Sequence, residues 1–257
     1  MLNLYNRNPY NNRSAMVMYP RTHYPSYNSN RYNRVVTYSK PKSKTINKTG
    51  VQSGKDLFKR VTATPFLPVS KYYTLTYHEI VKFNTGALNL LGNYVFTANG
   101  LYDPNITGVG HQPMGFDQAM IFYEHYTVTQ AYMSVRFFNK TSGPIIFGVY
   151  ISPDAIPLTD PDRVNENGLI VSKQAETVSA GGEVTINIKV DIAKYNGKSI
   201  INEDDYRGDI ANNPVEQVYA IIFAYSMDST NGNTEMTAEV DIKYRAKFTE
   251  PRKIPSS

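Results

Sequence analysis

Apolar and polar side chains alternate with a period of two through most of the chain after residue 70. In 71–84, Tyr73, Leu75, Tyr77, Glu79, Val81 and Phe83 alternate with Tyr72, Thr74, Thr76, His78, Ile80 and Lys82. Successive side chains of a strand point to opposite faces, and Tyr, Thr, Val and Ile suit that geometry, so the stretch predicts a strand. The same reading places strands at 93–97, 126–139, 144–152, 168–178, 183–192, 216–227 and 234–249. On 183–192 the residues Val184, Ile186, Ile188 and Val190 share one face. Turn residues separate several of these runs: 141–143, Ala180-Gly181-Gly182, and 228–233 with its Gly232. One stretch changes period. Phe116, Ala119, Met120 and Tyr123 fall at i, i+3, i+4 and i+7, which predicts a short helix over 116–123.

About eight antiparallel strands with one short helix predict an all-β sandwich. The connections run from tight turns to loops of about fifteen residues, and such uneven spacing favours a jelly roll among the sandwiches.

The first 60 residues lack this pattern. They are rich in Asn, Tyr, Arg and Ser, with Pro9, Pro20, Pro25 and Pro41 scattered through, and neither period persists. Too few aliphatics are present to bury a core, so this segment is expected to be disordered when nothing is bound. The predicted organisation is an N-terminal arm, 1–60, and a shell domain, 61–257, with Pro65 and Pro68 near the boundary.

Charge follows the same division. Residues 1–60 hold twelve basic and one acidic residue, a net +11, and the remainder holds 15 basic and 21 acidic, a net −6. The overall +5 is therefore a basic arm on a mildly acidic body. A polyanion is the partner this implies. Arg7, Arg13, Arg21, Arg31, Arg34, Lys40, Lys42, Lys44 and Lys48 are the candidate phosphate contacts. Tyr24, Tyr27 and Tyr32 among the seven arm tyrosines offer ring faces on which bases can stack. The plainer alternative is a solvated tail that binds acidic surfaces without selectivity.

The remaining chemistry is sparse. The chain has no cysteine, which removes disulfides, thiolate metal sites and a cysteine nucleophile. No apolar run approaches the length of a membrane span, and no secretory signal pattern opens the chain, so a soluble protein made in the cytosol is expected. The four histidines, His23, His78, His111 and His125, form no HxxxH or HExxH pattern. His111 reads as a hydrogen-bonded organiser of its loop, and His78 as a surface or interface residue. Gly108-Val109-Gly110 lacks the strand and helix of a phosphate-binding unit and reads as a turn. Asp160/Asp162 and Glu203/Asp204/Asp205 read as solvated loops ahead of calcium sites. No Ser-His-Asp set can be assigned. The expectation is a non-enzyme with no cofactor and no metal.

Three stretches resemble a known family. The first is 101–117, LYDPNITGVGHQPMGFD; the second is 123–138, YEHYTVTQAYMSVRFF; the third is the strand pair 218–227 and 236–248, closing in Phe and an acidic-Pro step. In order and spacing they resemble capsid proteins of circular Rep-encoding single-stranded DNA viruses, the circovirus-like group. The loop carries most of the likeness, through Tyr102, Asp103, Pro104, Gly108, Gly110, His111, Gln112, Pro113, Gly115, Phe116 and Asp117. Its apolar Leu101, Met114 and Phe116 are expected to anchor it.

The resemblance implies a single viral jelly roll that assembles into an icosahedral shell of about 60 copies. It also implies a single-stranded DNA genome held by the basic arm, a virion location with passage through the host nucleus, and a host receptor. One departure is visible. The family's arm is a dense arginine run, whereas here the basic residues are dispersed among Tyr and Asn. A jelly-roll binding module for nucleic acid or carbohydrate is the alternative. A cupin-type metal enzyme would need clustered His and carboxylate ligands on inward strand positions, which the pattern does not supply.

Overall fold

The computed structural model of the chain describes residues 67–87, 90–226, 228 and 233–253. The arm residues singled out above, Arg7 to Lys48, lie outside the described residues.

Alternation in the sequence becomes alternation in burial. Strand β1, Ser70–Asn84, turns Leu75, Tyr77, Val81 and Phe83 inward and leaves Thr74, Thr76, His78, Ile80 and Lys82 exposed. Strand β8, Glu235–Pro251, buries every second residue from Met236 to Phe248. Between them in the chain lie β2 (Gly92–Thr97), β3 (Tyr123–Phe138), β4 (Ile145–Ser152), β5 (Ile170–Ala175), β6 (Glu183–Asp191) and β7 (Tyr219–Tyr225).

These eight strands form two four-stranded sheets, in the orders β1-β8-β3-β6 and β2-β7-β4-β5. The pairing is nested and antiparallel: β1 with β8, β2 with β7, β3 with β6, β4 with β5. One long antiparallel double strand has been wound round a core, which is the jelly-roll connectivity. The ladders β3–β8 and β4–β7 complete the two sheets. In β3 the pairing to β8 shifts register between Val128 and Gln130. That bulge moves the buried positions from Tyr126 and Val128 to Ala131, Met133, Val135 and Phe137.

The main core fills the space between the sheets, with Phe137 of β3 stacked on Phe147 of β4 at 4.8 Å between ring centroids. A smaller cluster, Leu91, Val95, Tyr150, Val164, Ile221 and Phe223, covers the other side of the second sheet. This second cluster explains the unbroken apolar run of β7. Ala220, Ile222 and Ala224 join the main core, while Ile221 and Phe223 join the smaller one. A strand buried on both faces has no reason to alternate.

The helix expected at 116–123 is α1, Phe116–Phe122, with Phe116, Ala119 and Met120 buried. It ends one residue early because Tyr123 is already extended and opens β3. Two further short helices correct the expectation of one. In α2, Pro161–Glu166, the Asp160 carboxylate accepts from Asp162 N, and Pro161 occupies the first turn. In α3, Ile192–Asn196, Asp191 caps through Lys194 N and Gly197 ends the helix in the left-handed region. The strands expected at 168–178 and 216–227 are trimmed to β5 and β7. No helix among the described residues is long and apolar enough to cross a membrane.

Candidate functional site

The loop 101–117 leaves β2, runs over the inward face of β1 and delivers the chain into α1. Its centre is Asn105, which is fully buried. The Asn105 amide donates to both carboxylate oxygens of Glu79, at 3.0 and 2.9 Å, and lies 2.8 Å from Tyr94 Oη. Its Oδ1 accepts from Thr107 N at 3.1 Å and Thr107 Oγ1 at 2.8 Å. Tyr77 donates its hydroxyl to the same Glu79 carboxylate. Burial holds the Tyr77 phenol well above its ordinary pKa, and the hydrogen bond to Glu79 and that group's charge add to the rise. Asp103 is also raised, first by burial and then by the charge of Glu79. The half-buried Glu79 carboxyl group thus gathers the hydrogen bonds of Asn105 and Tyr77 around itself.

The backbone follows from this arrangement. Phe96 and Asn105 form an isolated bridge, and Thr97 N donates to Pro104 O at 2.9 Å. Gly108 and Gly115 adopt φ of 72° and 88°. Gly110 is needed for another reason. A Cβ there would sit 2.7 Å from Asn105 Cβ and 2.8 Å from Tyr77 Oη.

A second clamp holds the near end of the loop. Tyr126 Oη accepts from Leu101 N at 3.0 Å and Tyr102 N at 3.4 Å. Asn213 Oδ1 accepts from Tyr102 N and Asp103 N at 3.0 and 3.1 Å, while Asn213 Nδ2 donates to Asp103 O at 2.9 Å. At the far end Phe116 is buried edge-on against Tyr126, with centroids 5.4 Å apart. The Gln112 amide, turned with its nitrogen toward Asp117, donates to Asp117 Oδ1 at 2.8 Å. Pro113 O accepts from Phe116 N at 3.1 Å.

His111 acts as the expected organiser. Its Nε2 lies 3.0 Å from His78 O and its Nδ1 2.8 Å from Gln112 O, with its ring 4.7 Å from that of Tyr77. His78 is exposed and faces Asp241 at 2.9 Å. Leu101 and Phe116 anchor the loop from fully buried positions. Met114 does not: it is 88% exposed, because the chain turns outward between Pro113 and Gly115. Tyr102 is 41% exposed, held there by its backbone bonds to Tyr126 and Asn213.

The acidic clusters have local employment. Asp160 caps α2, Asp204 pairs with Arg207 at 3.0 Å, and Glu203 pairs with Lys198 at 3.6 Å. Among the described residues Glu124, His125 and Glu250 bring ligand-type atoms within 4.8 Å of one another, but Arg207 already occupies Glu250 at 3.1 Å. Sequence reasoning missed Glu79, Tyr126 and Asn213 as partners of the loop. For Glu79 a signal existed, since it is the one carboxylate in the otherwise apolar inward row of β1.

No family model matches the sequence, and no curated protein matches it. Solved structures do. The mud crab tombus-like virus aligns at 13% identity and a TM-score of 0.45, over 76% of this chain and 96% of that one. The semi-empty virus-like particle of the giant freshwater prawn (Macrobrachium rosenbergii) nodavirus aligns at 12% identity and a TM-score of 0.42, over 74% and 100%. The 60-mer BFDV capsid protein aligns at 12% identity and a TM-score of 0.39, over 74% and 100%.

Proposed function

We propose that this chain is the coat subunit of a small icosahedral virus. About 60 copies close into a shell, and residues 1–60 gather single-stranded DNA inside it. The observation that carries the reading is the joining of a jelly roll to a segment of net +11 directly before the first strand. A carbohydrate-binding module has no need of so large a unipolar segment. A subunit that must condense a polyanion does, since each neutralised phosphate releases counterions. Residues 1–55 hold ten basic residues and no acidic one, so 60 copies would carry on the order of 600 positive charges, enough for a comparable number of phosphates. The loop 101–117, where the circovirus-like resemblance is concentrated, is built for shape, as a surface that must meet a second copy in one orientation requires.

The particle is then the site of action, with assembly in the host nucleus and a host receptor met from outside. Electron microscopy of purified protein, with extraction and nuclease typing of any enclosed nucleic acid, tests the proposal. Closed particles of uniform diameter holding DNase-sensitive, single-stranded material are expected. A monodisperse monomer in every packaging condition would count against the shell, and RNA inside closed particles would replace the DNA assignment.

A further inference from the structure

The outward face of the β1-β8-β3-β6 sheet is divided. At one end its cations are matched: Lys82 and Lys140 with Glu235, and Arg136 with Glu183 and Glu239. At the other end Lys189, Lys243, Arg245 and Lys247 have no carboxylate within ion-pairing distance among the described residues. The two acids nearest them are engaged. Asp241 faces His78 at 2.9 Å, and Asp191 accepts from Lys194 N at 3.0 Å and Gln130 Nε2 at 3.1 Å.

Aromatic rings are interleaved with these cations. Tyr132 lies directly across from Lys243 on β8 and from Lys189 on β6, and Tyr72 across from Lys247. Lys189 Nζ sits 5.1 Å above the Tyr132 ring, and the Arg245 guanidinium 5.4 Å above that of Tyr72. Both tyrosines remain 46% and 42% exposed, for Tyr72 and Tyr132 respectively. Two open grooves follow the same residues. One of about 640 Å³ passes Tyr132, Lys189 and Lys243, and one of about 260 Å³ passes Tyr72, Gln130 and Arg245. The register places them side by side, since Lys243 and Arg245 are successive outward residues of β8.

We propose that this end of the sheet face binds single-stranded nucleic acid, as a second contact surface independent of residues 1–60. Cations without a carboxylate partner supply phosphate contacts at no cost in broken ion pairs. The half-exposed tyrosines, backed by Lys189 and Arg245, supply stacking platforms that tolerate any base. Strand β1 begins at this end, with Tyr72 opposite Lys247. The inference takes its partner from the packaging function proposed above, and its test separates the two.

Full-length protein is titrated with fluorescein-labelled oligodeoxythymidylate across a range of NaCl concentrations, reading anisotropy. The face variant K189Q/K243Q/R245Q/K247Q should lower the slope of log K against log salt by roughly 2 to 3, at about 0.7 per phosphate contact. The matched-end control K82Q/K140Q should leave it unchanged. The pair Y72S/Y132S should weaken binding at an unchanged slope. An arm variant, R7Q/R13Q/R21Q/R31Q/R34Q, is measured alongside. An unchanged slope in the face variant overturns this inference whatever the arm variant does. A flattened slope in the face variant with none in the arm variant upholds it and removes the arm from the packaging function. Heparin binding as tight as the oligonucleotide, with no effect of the tyrosine pair, overturns the nucleic-acid assignment in favour of a sulfated polysaccharide.

Discussion

Asn105 and Glu79 stand 26 residues apart, and the side-chain amide of the first spans both carboxylate oxygens of the second, at 3.0 and 2.9 Å. Through this contact a loop between the sheets is fixed to the inward face of an edge strand. Asn105→Ala leaves Glu79, Tyr94 and Thr107 each short of a partner. A loss of about 3 kcal/mol is expected, since hydrogen bonds to charged groups contribute about 1.5–3 kcal/mol and orphaned groups cost more. The midpoint of urea unfolding measures it, with the m-value unchanged. N105D should be worse near neutral pH and partly recover in mild acid, when the two facing carboxyls share a proton.

Phe116 carries the far end of the loop and packs edge-on against Tyr126. Phe116→Ala should cost about 3 kcal/mol or more, the range for a buried aromatic replaced by a cavity. Met114→Ala, two residues earlier and 88% exposed, should leave stability within about 0.5 kcal/mol. Equal melting of the two variants would show that the loop does not anchor through Phe116.

Tyr77, Tyr126, Tyr150 and Tyr244 all have phenols raised first by burial. The fold therefore favours their neutral form. Stability from these groups is complete below the pH at which unfolded tyrosine ionises, about 10. It falls as pH rises through and beyond that value, because only the unfolded chain releases the protons readily. Equilibrium unfolding between pH 8 and about 11 should show a plateau and then a decline. Tyrosinate absorbance from these four should appear together with the loss of structure rather than before it.

Residues 1–60 should dictate affinity for single strands. Replacing the seven arm tyrosines with serine should weaken binding with little change of salt slope, since no charge is lost. Deleting 1–60 should leave a folded body and lower the packaged nucleic acid sharply. Packaging by the truncated body equal to that of the full chain would transfer the whole task to the sheet face.

Much of the fold was legible because one physical rule, burial on one face, writes itself into alternate residues. β1 follows it from Tyr73 to Phe83 and β8 from Met236 to Phe248, and even the phase change in β3 shows in the apolar positions 126, 128, 131, 133, 135 and 137. Where burial is two-sided the rule says less. The run 216–227 read as one strand, but the ladder holds only Tyr219–Tyr225. The short helices α2 and α3 were missed, because so few residues cannot display a helical period; the structure shows them capped by Asp160 and Asp191. In the loop, buried Phe116 and hydrogen-bonded His111 were readable from local chemistry. The Asn213 clamp was not, because it joins residues 110 positions apart and no local pattern encodes a partner at that distance.

Strand β8 lies between β1 and β3 and pairs with both along nearly its full length. It is also the last of the eight strands to leave the ribosome. Until residues 235–251 have emerged, β1 has no neighbour in its own sheet, and β3 has only β6. Contacts so distant in sequence form late and slowly. The first strand must therefore wait for β8, the last of the eight, before it can enter its sheet. A product broken off ahead of β8 can pair β3 with β6 at most and leaves β1 without a neighbour in its sheet. Completion is thus written into the order of the strands: the face shared by β1, β8 and β3 exists only once residues 235–251 are in place.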